Sequence, residues 1–200
     1  MRLLASVVAV AVLLAGCSGD DDAATSEADR DRFPPGTADA LRPLFADELG
    51  ALELRLTRAS LVATETDYSP SRRGTHLAVY VEPTSGSYSN ADYITGLHRA
   101  TDVFAPEVFE RWPGLESFDV CQEPRPGDDD RETPTPLTQV NLTRAQAAEI
   151  DWDRADAATV VAASLAQPTD EKILRRLDLE LTRDPLWADV QARARELAGR

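Results

Sequence analysis

The sequence has few residues of the kinds that bind metals or act as catalytic bases. Its 200 residues include two cysteines, Cys17 and Cys121, and two histidines, His76 and His98. Zinc needs three or four ligands that converge in space, so a structural zinc site is not expected. Neither histidine belongs to a catalytic motif, and we predict that each is a polar residue at the surface or at the boundary of the core. No catalytic, metal-binding or cofactor-binding residue is predicted.

Positive charge is also scarce. The formal net charge is −14, and Lys172 is the only lysine. An acidic surface repels both the phosphates of nucleic acids and anionic lipid headgroups. We therefore expect no nucleic-acid partner. We also expect that any contact with the membrane does not involve a basic surface of the protein. The nucleophile-elbow, phosphate-loop and dinucleotide motifs are absent as well.

No apolar run is long enough to span a bilayer, which takes about 20 residues in a helix. The run from Leu3 to Leu14 is interrupted only by Ser6 and follows Arg2. A positive residue before a short apolar stretch is typical of a secretory signal peptide. We predict that residues 1–16 are such a signal.

The residues after this stretch, Leu14-Ala15-Gly16-Cys17, resemble the lipobox of bacterial lipoproteins. The resemblance implies that diacylglycerol is attached to the thiol of Cys17, that the chain is cut just before it, and that palmitate and other acyl chains anchor the protein. Two or more acyl chains hold a protein stably on a membrane. The expected location is the extracytoplasmic face of the cell membrane. The preference for arginine over lysine is typical of GC-rich genomes such as those of actinobacteria.

An acidic segment follows the lipobox. Residues 18–35 carry six carboxylates and almost no large apolar residue before Phe33. Such a composition cannot bury enough surface to fold. We predict a lipidated cysteine and a disordered acidic tether over residues 17–35, and a single domain over residues 36–200. The tether as a binder of a cation or a basic partner remains an alternative.

The spacing of hydrophobic residues predicts a helix followed by two strands in the first half of the domain. Residues 41–49 have helical spacing, with Pro43 in the first turn. Residues 52–62 predict a strand with a register change, and residues 77–81 predict a central strand that is apolar on both faces. Residues 67–74 form the break between them.

The middle of the chain repeats this order of one helix followed by two strands. Ser89 and Asp92 resemble a capping box and begin a helix that kinks or restarts at Pro106 and ends at Pro113. Strands are predicted over residues 117–123 and 137–142. Cys121 is predicted to be an inert core thiol, with an interchain disulfide or a redox role as alternatives.

The last third of the chain is predicted to be helical. Thr143 and Gln146 predict a second capping box, and helical pieces follow over residues 160–165, 173–181 and 186–197, the last opened by Pro185. The segregation of strands and helices predicts an α+β domain, with a small antiparallel or mixed sheet of about four strands, packed helices and a helical C-terminal third.

Two further clusters have alternative interpretations. Asp128, Asp129, Asp130 and Glu132 are interpreted as a solvated acidic loop, with calcium binding as the alternative. Seven aromatic residues of the middle third are interpreted as core, with a ligand groove as the alternative. They are Tyr80, Tyr88, Tyr93, Phe104, Phe109, Trp112 and Phe118.

These features favour a non-enzymatic, membrane-anchored domain that binds an envelope protein or a small ligand. A first alternative is a carrier of a lipid or another small apolar molecule, which a large apolar cavity would favour. A second is an envelope enzyme, which a cleft that joins His76 or His98 to carboxylates and a hydroxyl would favour.

Overall fold

The computed structural model describes residues 32–63, 75–129, 135–165 and 179–199. Within these ranges four strands form one mixed sheet with helices packed against it, which confirms the α+β class. The elements in chain order are α1 (Ala38–Ala51), β1 (Leu54–Ala63), β2 (Thr75–Pro83), α2 (Asn90–Arg111), β3 (Leu115–Gln122), β4 (Thr138–Thr143), α3 (Arg144–Ala148), α4 (Ala157–Leu165), α5 (Leu179–Thr182) and α6 (Pro185–Ala198).

The spatial order of the strands follows their order in the chain. The outer pairs, β1 with β2 and β3 with β4, are antiparallel, whereas β2 and β3 are parallel. A parallel pair needs a crossover connection, and α2 provides it. The prediction that β2 is a central strand is confirmed.

The first helix and strand differ from the prediction at their ends. Helix α1 begins at Ala38, so Pro43 lies in the second turn and the prediction of a first-turn proline is wrong. Upstream residues with good helix propensity extend the helix by about one turn. Strand β1 begins at Leu54, because Glu53 adopts a left-handed conformation with φ 56° in the preceding turn. The predicted register change is confirmed and lies between Leu56 and Arg58.

Helix α2 begins with the predicted capping box. The Ser89 hydroxyl accepts a hydrogen bond from the backbone of Asp92, whose carboxylate accepts one from the backbone of Ser89. The helix then continues through Pro106 to Arg111 without interruption, so the predicted restart is wrong. Buried side chains on both sides of Pro106, including Phe104, keep the helix packed on the sheet, and such packing overrides local propensity.

The C-terminal elements follow the predicted pattern where the structure describes them. Thr143 and Gln146 form the second capping box, and Pro185 opens α6. The predicted helical piece over residues 173–181 lies largely outside the described residues. Among the helices that are described, none is long and apolar enough to cross a membrane.

The sheet has one apolar and one polar face. Alternate residues of β2, namely Leu77, Val79 and Val81, are fully buried in a core shared with the helices. The intervening residues include His76, and their neighbours on β3 include Asp119. Both of these side chains are buried as well, so the second face carries buried polar groups where β2 pairs with β3.

Helix α2 is hydrogen-bonded to the sheet at both ends. Near its start, the buried amide of Gln122 donates to the carbonyl of Tyr93 over 2.9 Å and to the hydroxyl of Thr138 over 2.6 Å. Gly96 permits this approach, because a Cβ there would lie 2.3 Å from Gln122 Oε1.

At the other end, the guanidinium of Arg144 donates four hydrogen bonds to backbone carbonyls. It bonds Phe109 over 2.6 Å, Trp112 over 2.7 Å, and Leu115 over 3.0 and 2.8 Å. The last carbonyls of a helix lack partners within the helix and favour a positive charge. Arg144 therefore caps α2 and fixes the start of β3 relative to the end of β4.

We predict that Arg144→Met lowers the free energy of unfolding by about 3 kcal/mol, since several partly buried carbonyls lose a charged donor. Chemical denaturation of the purified protein measures this loss. Arg111→Met is the matched control, because Arg111 pairs with Glu107 at the exposed surface of the same helix end and should contribute less than about 1 kcal/mol. Equal losses in the two variants would contradict the assigned role of Arg144.

Candidate functional site

The structure brings polar side chains together in two places: on the polar face of the sheet and in a cleft between helices. On the sheet, His76 lies between Ser117 and Asp119. Its Nδ1 is 2.9 Å from Ser117 Oγ, and its Nε2 is 3.2 Å from Asp119 Oδ2. Asp119 Oδ2 also accepts a 2.7 Å hydrogen bond from Gln139.

The prediction that His76 is a surface or boundary residue is wrong, because only 4% of it is exposed. The reason is the pairing of β2 with β3, which places His76 opposite Ser117 and leaves Asp119 on the same face two residues further on. Both ring nitrogens therefore have partners inside the protein. The sequence separation of 41 residues between His76 and Ser117 hides this arrangement from any local pattern.

A hydroxyl, an imidazole and a carboxylate in line are the groups of a serine hydrolase, but two features differ from that chemistry. Ser117 is fully buried, whereas the hydroxyl of a serine hydrolase faces the substrate. In the hydrolase arrangement the serine contacts Nε2 and the acid contacts Nδ1, whereas here the two nitrogens are exchanged. The geometry suits a buried hydrogen-bond network, in which Asp119 Oδ1 still lacks a partner.

A second group on this face surrounds Glu123, which is also buried. Its carboxylate accepts hydrogen bonds from the guanidinium of Arg58 and, over 2.6 Å, from Thr57. The same guanidinium stacks on the ring of Tyr80, with 3.9 Å to the centroid. Cys121 shares this face and is 2% exposed, so its predicted burial is confirmed.

A cleft of about 330 Å³ lies between α2, the start of α4 and α6, and we call it the helical cleft. Its apolar lining comes from Ala157, Ala158, Leu186 and Val190. The polar groups are Thr95, His98 and Arg99 from α2, Asp156 at the start of α4, and Asp189 and Arg193 from α6.

Two of the four charged residues that line the helical cleft, Asp156 and Arg193, pair with each other. The carboxylate of Asp156 caps α4 by accepting 2.9 Å hydrogen bonds from the backbone and the hydroxyl of Thr159, and it pairs with Arg193 at 3.3 Å. Burial raises the pKa of Asp156, but these hydrogen bonds and the charge of Arg193 outweigh burial and hold the pKa below its usual value. Asp156 therefore stays ionised and engaged at neutral pH.

His98 is the exception within the helical cleft. Its Nε2 is buried, yet no hydrogen-bond partner exists for it in the structure. The prediction of a boundary position is confirmed, because the side chain as a whole is partly exposed. A buried polar nitrogen without a partner costs free energy, and because this nitrogen has essentially no accessible surface, a molecule in the cleft cannot touch it.

A second cleft, of about 420 Å³, lies between the start of α1 and strands β1 and β2. Its lining is largely polar and includes Asp39, Ser60 and Tyr80, together with Arg58, which is paired with Glu123. This surface offers few apolar contacts to a ligand.

The aromatic residues of the middle third are core, which was the main interpretation. Six of the seven are buried, and they pair with one another, as Phe109 does with Phe118 at 5.4 Å. Burial raises the pKa of Tyr88 to about 12 and also raises the pKa of Tyr93, so both phenols stay neutral. Of the seven, only Tyr80 lines one of the two clefts, so these clefts do not support the alternative of an aromatic ligand groove.

The acidic loop is partly described. Asp128 is exposed and pairs with Arg125 at 2.7 Å, whereas Asp130 and Glu132 lie outside the described residues, as does Cys17. Within the described ranges, no three histidine, cysteine or carboxylate side chains are grouped closely enough to hold a metal ion.

The sequence does not predict the helical cleft, because the residues that line the cleft come from three helices that are separated in the chain. One local signal was available: Asp156 followed three residues later by Thr159 is a helix-capping pattern and marks the start of α4. Nothing local indicates that this start lies against His98.

Comparison with known proteins gives no match: no protein-family model, no curated protein sequence and no solved structure is significantly similar to the chain.

Proposed function

We propose that the protein is a lipoprotein of the extracytoplasmic membrane face whose domain binds a small apolar ligand and has no enzymatic activity. The observation that carries the binding function is the helical cleft, in which an apolar lining lies beside a few polar groups. The anchor and its location rest on the sequence, namely on the apolar run and the lipobox-like residues that end at Cys17.

The dimensions and lining of the helical cleft support this function. Ligand sites usually measure about 300–1,000 Å³ and combine apolar walls with a few polar groups that orient the ligand. At about 330 Å³ the cleft is at the small end of this range. It suits a small molecule or one end of a chain, and it is too small to enclose a diacyl lipid.

The burial of the His76 network supports a function without catalysis. A catalytic hydroxyl has to meet its substrate, and Ser117 has no exposed surface. The other histidine, His98, has no hydroxyl or carboxylate bonded to its Nε2 that would activate it. The acidic net charge further supports a partner other than nucleic acid.

For the anchor, we predict that Cys17→Ser abolishes metabolic labelling with palmitate and releases the protein from the membrane fraction, because the thiol is the proposed acylation site. Gel autoradiography after membrane fractionation measures both effects. Cys121→Ala is the matched control and should keep full labelling, since Cys121 is buried. Labelling that persists in Cys17→Ser would contradict the site.

For binding, we predict that the protein purified from its own host under mild conditions carries a small molecule that native mass spectrometry detects as an added mass. The reason is that a small apolar molecule in the cleft removes the apolar lining from contact with water, which is favourable. Protein that is unfolded, washed and refolded is the control and should lack the added mass. A bare protein from fresh host membranes, together with a crosslinked partner protein, would contradict the small-ligand function.

A further inference from the structure

We propose that the ligand of the helical cleft is an uncharged molecule that enters with a compact hydrocarbon end and keeps any polar group at the exposed mouth of the cleft. This inference rests on the proposed binding function. It adds that the enclosed part of the ligand carries no hydrogen-bonding group and is selected by its shape and volume.

The side chains that line the helical cleft differ in exposure according to their polarity. Among the apolar ones, Ala157, Ala158 and Val190 are buried and Leu186 is partly exposed. The fully exposed lining residues are all polar, namely Thr95, Arg99, Asp189 and Arg193. The apolar side chains therefore form the inner surface of the cleft, and the exposed polar side chains lie at its mouth.

Two polar residues of the cleft, His98 and Asp156, are partly buried. The Nε2 atom of His98 has essentially no accessible surface, so a ligand cannot bond it. The carboxylate of Asp156 is engaged by two hydrogen bonds from Thr159 and by its pairing with Arg193. A ligand hydroxyl or amine enclosed beside these residues would lose water without gaining either group as a partner, which is unfavourable.

The charges around the cleft favour an uncharged occupant. The lining contains two carboxylates, of Asp156 and Asp189, and two guanidinium groups, of Arg99 and Arg193. These formal charges sum to zero, and Asp156 and Arg193 pair with each other at 3.3 Å. An enclosed cation or anion would therefore lose its water without meeting a net opposite charge. An uncharged hydrocarbon end is complementary to such a lining.

The volume of the cleft limits the size of the enclosed part. An apolar cavity of about 150 Å³ in another protein holds one benzene molecule. The helical cleft has about 330 Å³, part of which is open toward solvent. A single substituted ring or a branched chain end therefore fits. Because the free energy gained from burying hydrocarbon is roughly proportional to the area removed from water, the fit to this volume decides the affinity.

Two leucines of α6 provide a matched pair of variants. Leu186 and Leu197 are both partly exposed and both pack against the core. Of the two, only Leu186 lines the helical cleft. Leu186→Ala therefore removes contact surface from the cleft, whereas Leu197→Ala makes the same chemical change on the same helix outside the cleft.

The test compares three probes of similar shape: trans-1,4-dimethylcyclohexane, trans-4-methylcyclohexanol and trans-1,4-cyclohexanediol. The first has no polar group, the second has one hydroxyl that can stay at the mouth, and the third has a hydroxyl at each end, so that one has to enter the cleft. Each probe is added by dialysis to the full chain in lipid nanodiscs, which fixes its free concentration whatever amount partitions into the lipid. The methyl signals of Ala158 and Val190 are followed by NMR in the original chain and in both leucine variants.

We expect saturable shifts of both methyl signals with dimethylcyclohexane and with methylcyclohexanol. The diol should bind at least about tenfold more weakly than methylcyclohexanol, because one of its hydroxyls loses water without gaining a partner. Leu186→Ala should weaken the binding of dimethylcyclohexane about three- to tenfold, since less hydrocarbon surface is buried. Leu197→Ala should change it less than about twofold.

Three results would overturn the inference: a diol that binds as tightly as methylcyclohexanol, equal effects of the two leucine variants, or no saturable shift with any probe. The first would reject the hydrocarbon class while leaving a binding cleft in place. The second would place the bound probes outside the cleft. The third would reject the proposed function as well if the protein from its host also carried no added mass.

Discussion

The four hydrogen bonds of Arg144 are the interaction on which the arrangement of the domain depends most. They join the last carbonyls of α2 to the start of β3, and the arginine itself follows directly after β4. Its guanidinium also lies over the ring of Phe109, at 5.0 Å from the centroid. A crossover helix that is fixed at its C-terminal end by Arg144 and near its start by Gln122 has little freedom to move on the sheet. The position of His98 on that helix is fixed with it.

The two histidines have different surroundings in one small domain. His76 has a partner for each ring nitrogen and lies on the polar face of the sheet, so it contributes to a hydrogen-bond network. His98 is partly exposed beside the helical cleft, and its Nε2 is buried without a partner. The degree of burial alone therefore does not show whether a histidine has hydrogen-bond partners.

Local patterns in the sequence predict the elements well and the contacts between them poorly. The capping boxes at Ser89 and Thr143 depend on residues three apart, and the structure contains both. The register change in β1 is likewise visible in its alternation. The burial of His76 depends on the pairing of β2 with β3, which no short-range pattern specifies.

Local sequence patterns likewise do not predict the contacts of Arg144 or the helical cleft. Arg144 appears in the sequence as one of many arginines, and its role follows only from three carbonyls that lie 29 to 35 residues earlier in the chain. The helical cleft requires α2, α4 and α6 to meet, and these helices are separated by the sheet strands or by residues outside the described ranges. Composition and charge lead to expectations about classes of partner, whereas the cleft is visible only in the structure.

The central claim is that the helical cleft receives a small apolar ligand. A crystal structure of the protein with cyclohexanol, a small apolar ring, tests it most directly. The account predicts the ring in the cleft beside Ala158 and Val190. An empty cleft in crystals that contain the alcohol elsewhere would contradict it.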